Sequence, residues 1–268
     1  MQKILFPTDF SAHAKNALKY AMEIAKKLKA KIDPIHIYSV AFSDVAPLPY
    51  DYMRSLMDAK QAEIDDLFES LLKEYDPTYI GNSRAVYGVF PAVEIVEYAK
   101  KENYDYIIMG TRGRTNQIDQ LIGSITSSVV MNAACPVIAI PESTRFEEIY
   151  SIALAASFED KNQDTIERLQ VFADQVKAGI HLVHVNTKTD KESIQEVMED
   201  ENLDNAFARF TIVHNPSVVK GLDDVIEKYA IDMLALYIPN RRLWERIFHQ
   251  SISKKMALQT KIPLIVYH

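Results

Sequence analysis

Residues 107 to 130 decide the reading. They run Ile107-Ile108-Met109-Gly110-Thr111-Arg112-Gly113-Arg114-Thr115-Asn116-Gln117-Ile118, then Asp119-Gln120-Leu121-Ile122-Gly123-Ser124-Ile125-Thr126-Ser127-Ser128-Val129-Val130. An apolar run ends at Met109. Gly110, Gly113 and Gly123 follow, three of the chain's seven glycines within fourteen positions. Glycine costs backbone entropy, so a chain poor in it is expected to keep it for places where no other residue fits. A helical pattern begins behind Ser124. The stretch therefore reads as strand, glycine-punctuated loop and helix N-terminus. In that arrangement unpaired backbone N–H groups and the positive end of a helix dipole face an anion.

Working outward, Lys3 to Pro7 reads as a short strand and Thr8-Asp9-Phe10-Ser11 as a polar turn with a helix cap. Ala14, Leu18, Ala21, Met22, Ala25 and Leu28 recur at helical spacing. Ile32 to Tyr38 is a second strand, 45–50 a loop, and Tyr52 to Tyr75 a long helix with Leu56, Ile64, Leu67, Phe68, Leu71 and Leu72 as its apolar positions. Asn82 to Tyr87 is a third strand. Pro91 to Lys101 is a helix opened by proline. Tyr104 to Met109, Ser124 to Ala133 and Pro136 to Ile140 complete a strand, helix and strand. Strands alternating with helices imply right-handed crossovers and a parallel sheet covered on both faces.

The plan then restarts, with a strand at Ile149 to Ala155, a helix at Thr165 to Val176 and a strand at Gly179 to Asn186. Residues Ala30 to Ile37 align with Ala178 to Val185 at an offset of 148. Residues Cys135 to Ile140 align with Ile262 to Tyr267 at an offset of 127, fixed by Pro136 and Pro263. The expected fold class is α/β. It consists of two tandem, open, five-stranded parallel-sheet domains of Rossmann-like type, strand order 3-2-1-4-5, with helices on both faces. The domains are 1–143 and 148–268. The second is shorter by 21 residues, the difference of the offsets, where the first carries its loop and long helix at 45–75.

Composition narrows the class. The chain is 48% hydrophobic and 25% charged, as in ordinary globular proteins, and its net charge of -7 argues against general nucleic-acid binding. No apolar run approaches the roughly 20 residues that span a bilayer. The N-terminus lacks a signal-peptide layout, and the single Cys135 forms no internal disulfide. The expectation is a cytoplasmic protein without membrane contact.

In an open parallel sheet, ligands sit outside the carboxyl ends of the strands where the strand order reverses. With order 3-2-1-4-5, Asp9 after strand 1 and Gly110 after strand 4 reach one crevice. A carboxylate there suits ribose hydroxyls or an adenine amine and would repel phosphate. Phosphates belong on the N–H groups around Gly113, Gly123 and Ser124, with the Ser124 and Thr126 hydroxyls as further donors. Arg112 and Arg114 read equally well as solvated loop charges or phosphate contacts.

The pattern Gly110-x2-Gly113-x9-Gly123-Ser124, preceded by Asp9, resembles the nucleotide-binding pattern of the universal stress proteins, and the Cys-Pro-Val-Ile-Ala-Ile strand at 135–140 resembles theirs too. The likeness covers both halves, as in a tandem member. In that family ATP lies between the strand-1 acid, the backbone after strand 2 and the glycine loop. By position the resemblance implies Pro7, Thr8 and Asp9, then Ile37 through its backbone, then Met109, Gly110, Arg112 and Gly113, then Gly123, Ser124, Ile125 and Thr126. The cofactor it implies is ATP or another adenine nucleotide, with Mg on the phosphates. It also implies pairing of domains through their last strands, here an intramolecular pseudo-dimer, with a further homodimer left open.

The second half departs from the pattern. Thr8 and Asp9 correspond to Ala156 and Ser157, and Gly110, Gly113 and Gly123 to Tyr237, Asn240 and Gln250; only Ser124 persists, as Ser251. One nucleotide site, in the first half, is expected. Arg241 to His249 replaces the phosphate loop and reads as a short amphipathic helix or as a partner-contact patch around Trp244. Asp190 to Asp204 reads as a solvated helix and loop. His181 and His184 point to opposite strand faces and do not form a metal pair. No P-loop lysine and no Ser-His-Asp order is present, so efficient catalysis is not expected. The alternatives are a slow ATPase, self-phosphorylation on Ser124 or a neighbour, and a ligand-free adaptor.

Overall fold

A computed structural model describes residues 1–39, 49–111, 123–155, 163–187, 209–237 and 262–268. The chain divides into two compact units, the first running through Val137 and the second starting at Ile138. Both are built on a parallel sheet with helices. Among the described residues no helix is long and apolar enough to cross a membrane.

The first unit contains β1 (Lys3–Pro7), α1 (Ala12–Leu28), β2 (Lys31–Tyr38), α2 (Tyr50–Glu74), β3 (Arg84–Tyr87), α3 (Pro91–Lys101), β4 (Tyr106–Gly110) and α4 (Ser124–Asn132), followed by β5 (Val137–Ile140). The strand order over this half is β3-β2-β1-β4-β5. β1 lies between β2 and β4, parallel to both. Ile4, Leu5, Phe6, Ile107 and Ile108 are wholly buried. That is why these strands read as unbroken apolar runs: both faces of a parallel sheet are covered. α1 starts where Ser11 accepts the Ala14 N–H and ends at Lys29 in the left-handed conformation, φ 51°. α2 buries only Ile64 and Leu71, and Leu72, expected on its apolar face, is exposed. This helix instead covers the edge strand through polar atoms. Gln61 Oε1 accepts the Ala85 N–H at 3.0 Å, and Asp65 accepts the Ser83 hydroxyl at 2.8 Å. An edge strand covered this way offers fewer unpaired groups to another chain.

Two strands begin later than their sequence pattern implies, and one buried carboxylate explains both. Asp33, 8% exposed on β2, accepts the Asn82 N–H and the Tyr104 hydroxyl, each at 2.7 Å. Asn82 is thereby taken off the ladder, so β3 starts at Arg84. Tyr104 is turned inward, so β4 starts at Tyr106. Burial, and then the bond to Asp33, raise the Tyr104 phenol well above the ordinary tyrosine value. Gly81 is confined by the same group, since a Cβ there would collide with the Asp33 carboxylate. Beside it, Asp105 Oδ2 accepts the Lys3 N–H at 2.7 Å.

The second unit contains β6 (Ser151–Ala155), α5 (Gln163–Val176), β7 (Gly179–Asn186), β8 (Arg209–His214), α6 (Val218–Tyr229), β9 (Met233–Tyr237) and β10 (Leu264–Tyr267). Its strands run β10-β9-β6-β7-β8, every pairing parallel. β6 starts at Ser151 rather than Ile149 because Asp232 Oδ2 accepts the N–H groups of Tyr150 and Ser151, at 2.8 and 2.9 Å. α6 is capped by Ser217 and ends at Ala230 with φ 50°. Asn103 and Lys177, just past α3 and α5, also have positive φ. The expectations for 190–204 and 241–249, and the loop at 45–48, lie outside the described residues.

Asp223 on α6 is half-buried. Burial first, then the neighbouring Glu227 and Asp224 carboxylates, push its carboxyl up to about 6. Between the ordinary aspartate value of about 3.9 and that raised value, the folded chain binds more protons than the unfolded one. This group's contribution therefore falls as pH rises through that window and stays lost above it. Asp223→Asn is expected to add about 1 kcal/mol at pH 7, a figure discounted for partial solvation. The gain should shrink as pH is lowered from 7 to 4 in urea unfolding. A pH-independent gain would assign it to another cause.

Candidate nucleotide site

β1 does not simply stop at Pro7. The Thr8 N–H still reaches the Ile35 carbonyl at 2.9 Å, extending the ladder to β2 by one residue. The chain then turns through three successive side-chain-to-backbone bonds. Thr8 Oγ1 accepts the Phe10 N–H at 3.1 Å, Asp9 Oδ1 accepts the Ser11 N–H at 3.0 Å, and Ser11 Oγ accepts the Ala14 N–H at 3.1 Å. Short polar side chains at turns and caps bond their own backbone in this way. Phe10 takes φ 60°, a conformation uncommon for a bulky residue. From β2, His36 Nδ1 lies 2.8 Å from the Thr8 carbonyl oxygen.

The register places the other residues. Pro7 pairs with Ile35, so Asp9 stands level with Ile37, which is half-buried. Leu5 pairs with Ile107, so Pro7 stands level with Met109. Beyond β4 the chain leaves at Thr111 and returns at Gly123, whose N–H donates to the Thr111 carbonyl at 2.6 Å. Arg112, Gly113 and Arg114 lie outside the described residues. α4 begins directly after Gly123, which is its N-cap and supplies no side-chain bond. The first intrahelical donor there is Ser127, to the Gly123 carbonyl at 2.9 Å. The N–H groups of Ser124, Ile125 and Thr126 therefore have no acceptor within the helix. Ser124 and Ile125 are exposed.

The structure thus brings Pro7, Thr8, Asp9, Ile37, Met109, Gly110, Gly123, Ser124, Ile125 and Thr126 to the carboxyl ends of β1, β2 and β4 and to the start of α4. It changes the task of one of them. The Thr126 side chain is 3% exposed and its hydroxyl donates to the Gly110 carbonyl at 2.9 Å. That single proton is committed to tying α4 to the end of β4, so the hydroxyl is not the outward donor expected of it. Gly123 also departs from expectation. Its φ is -63°, open to any residue, and among the described residues an added Cβ would meet only the Thr111 carbonyl oxygen, at 3.4 Å. Neither backbone conformation nor packing against the described residues requires glycine here. Tyr237, which the offset of 127 aligns with Gly110, is half-buried at the end of β9.

The sequence gives no direct sign of Phe10's conformation or of the His36 bond. Both depend on β1 and β2 lying side by side. Among the described residues no cluster of His, Cys, Asp and Glu is placed to hold a metal ion.

Residues 1–141 match the model of the universal stress protein family. Two universal stress proteins of Methanocaldococcus jannaschii are similar. One is 33% identical over 143 residues, 52% of this chain and 81% of the relative; the other is 31% identical over 154 residues, 52% of this chain and 94% of the relative. The crystal structure of a universal stress protein from Archaeoglobus fulgidus shares the fold at a TM-score of 0.70, with 18% identity, over 98% of this chain and 95% of that one. With the family model covering more than half of its length, the chain belongs to the universal stress protein family.

Proposed function

We propose that the chain binds one adenine nucleotide, ATP with Mg carried on its phosphates, in its first half, and acts as a regulatory stress-response protein rather than an efficient catalyst. The start of α4 carries this reading. It is a helix N-terminus without a side-chain cap, entered by a glycine that neither its φ nor its contacts with the described residues require. Three N–H groups without an acceptor inside the helix, together with the helix dipole, favour an anion, and a missing Cβ lets a phosphate approach the backbone. Asp9, across the β1–β4 junction, would accept from ribose or adenine. Gly110, Arg112 and Gly113 enter from the family pattern. Titration calorimetry with MgATP tests the reading. One site per chain is expected. No binding at millimolar ATP would remove it, and two equal sites would remove the difference between the halves.

We also read the halves, 1–143 and 148–268, as tandem repeats of one fold. Recurring backbone bonds support this. Asp105 accepts from Lys3 as Asp232 accepts from Ser151. The Ile107 N–H reaches Pro136 as the Leu234 N–H reaches Pro263, and the Lys31 N–H reaches Gln2 as the Gly179 N–H reaches Tyr150. The offsets within these pairs are again 127 and 148. On this reading the second half keeps the fold without the nucleotide site and pairs with the first through the last strands as a pseudo-dimer.

A further inference from the structure

The nucleotide reading assigns Asp9 a ligand contact but does not say what aims it. The carboxylate sits on a turn between two residues that are both held from β2. On one side is Thr8, whose carbonyl oxygen lies 2.8 Å from His36 Nδ1. A carbonyl only accepts, so the proton resides on Nδ1. On the other side is Phe10, whose ring lies against the His36 imidazole with centroids 4.6 Å apart and planes inclined at 45°. The Phe10 backbone is left-handed at φ 60°. Such a conformation is costly for a non-glycine residue and persists only where the surroundings over-determine it. Beside the turn's own Thr8–Phe10 and Asp9–Ser11 bonds, those surroundings include one imidazole, 9% exposed, that bonds the residue before Asp9 and packs on the residue after it. Were Phe10 to relax to an ordinary φ, the Asp9 carboxylate would leave the Ser11 N–H and turn away from the crevice.

We propose that His36 is a positioning residue of the nucleotide site. It touches no ligand. Through the Thr8 carbonyl and the Phe10 ring it holds the strained turn that directs Asp9 toward the bound nucleotide. The proposal rests on the nucleotide reading for its ligand, but the clamp has a consequence in the ligand-free protein as well.

Two substitutions separate the clamp from mere core filling. His36→Leu fills similar space without a donor. In His36→Asn the side-chain amide nitrogen stands near the place of Nδ1 and restores the bond to Thr8. Full-length variants are compared by MgATP calorimetry, by thermal unfolding without ligand, and by amide NMR shifts of Asp9, Phe10 and Ser11 without ligand. His36→Leu is expected to fold, to weaken ATP about tenfold, as loss of a supporting contact behind a ligand-binding group does, and to move those three amides. His36→Asn is expected to recover most of the affinity. Unchanged affinity and unchanged amides in His36→Leu would overturn the proposal, and so would equal losses in both variants. Failure of His36→Leu to fold would make His36 a residue of the fold and overturn it too. Should wild type bind no ATP, the nucleotide reading fails, and the positioning role falls with it whatever the amide shifts show.

Discussion

Gly123→Ala is expected to weaken ATP binding on the order of 100-fold while leaving the ligand-free fold within about 1 kcal/mol of its original stability. The two halves of that result come from different observations. Alanine suits φ -63° and ψ 156°, and its methyl would make ordinary contact with the Thr111 carbonyl oxygen at 3.4 Å. At a helix N-cap alanine is somewhat worse than glycine, so a small loss is allowed for. The ligand side differs. The methyl would stand beside the three N–H groups that would receive a phosphate, displacing it and leaving polar groups poorly paired. Calorimetry with MgATP and a thermal melt of the same sample check both halves. Unchanged affinity would show that nothing approaches the backbone at Gly123. A collapse of stability would show that the glycine serves the fold after all.

Asp33→Leu carries the largest expected effect on stability, a loss of about 2–4 kcal/mol, because one buried and one part-buried donor each lose their acceptor. The Asn82 N–H and the Tyr104 hydroxyl would both lose their acceptor, and β3 and β4 would lose the group that ends each of their approaches. Tyr104→Phe removes one of the two bonds and is expected to cost only about 1 kcal/mol. The site should be indifferent to both changes, because Asp33 and Tyr104 lie near the amino ends of the strands and Asp9 at the carboxyl ends. Urea unfolding gives the stabilities. A loss under 1 kcal/mol in Asp33→Leu would contradict the role given to this carboxylate.

Much of the architecture is legible from hydrophobic period. Covered parallel strands are continuous apolar runs, and α1, α3 and α5 show their buried stripes directly. α6 is equally legible, from Ser217 as cap and Val219, Leu222, Val225 and Tyr229 at helical spacing. β8 buries little, so its pattern is faint. Strand starts were missed where a distant side chain takes a backbone group, as Asp33 does with Asn82. At the site, the glycines and Asp9 stood out because their residue types are unusual at their positions. The commitment of the Thr126 hydroxyl to Gly110 did not, because it depends on how α4 returns to β4. The same limit hid the His36–Phe10 contact.

Five described residues adopt left-handed backbone, namely Phe10, Lys29, Asn103, Lys177 and Ala230, and no described glycine does. At such positions glycine would relieve folded-state strain of about 1 kcal/mol each, but it would also enlarge the denatured ensemble by a comparable free energy. Having only seven glycines is thus as much a property of the denatured chain as of the folded one. The disordered polypeptide is stiffer, has fewer states to surrender on folding, and bears the difference as local strain once folded. Gly123 reverses that trade. It loosens the denatured chain without easing left-handed strain in the native one, and on the nucleotide reading the close approach of a ligand to its backbone offsets that loss.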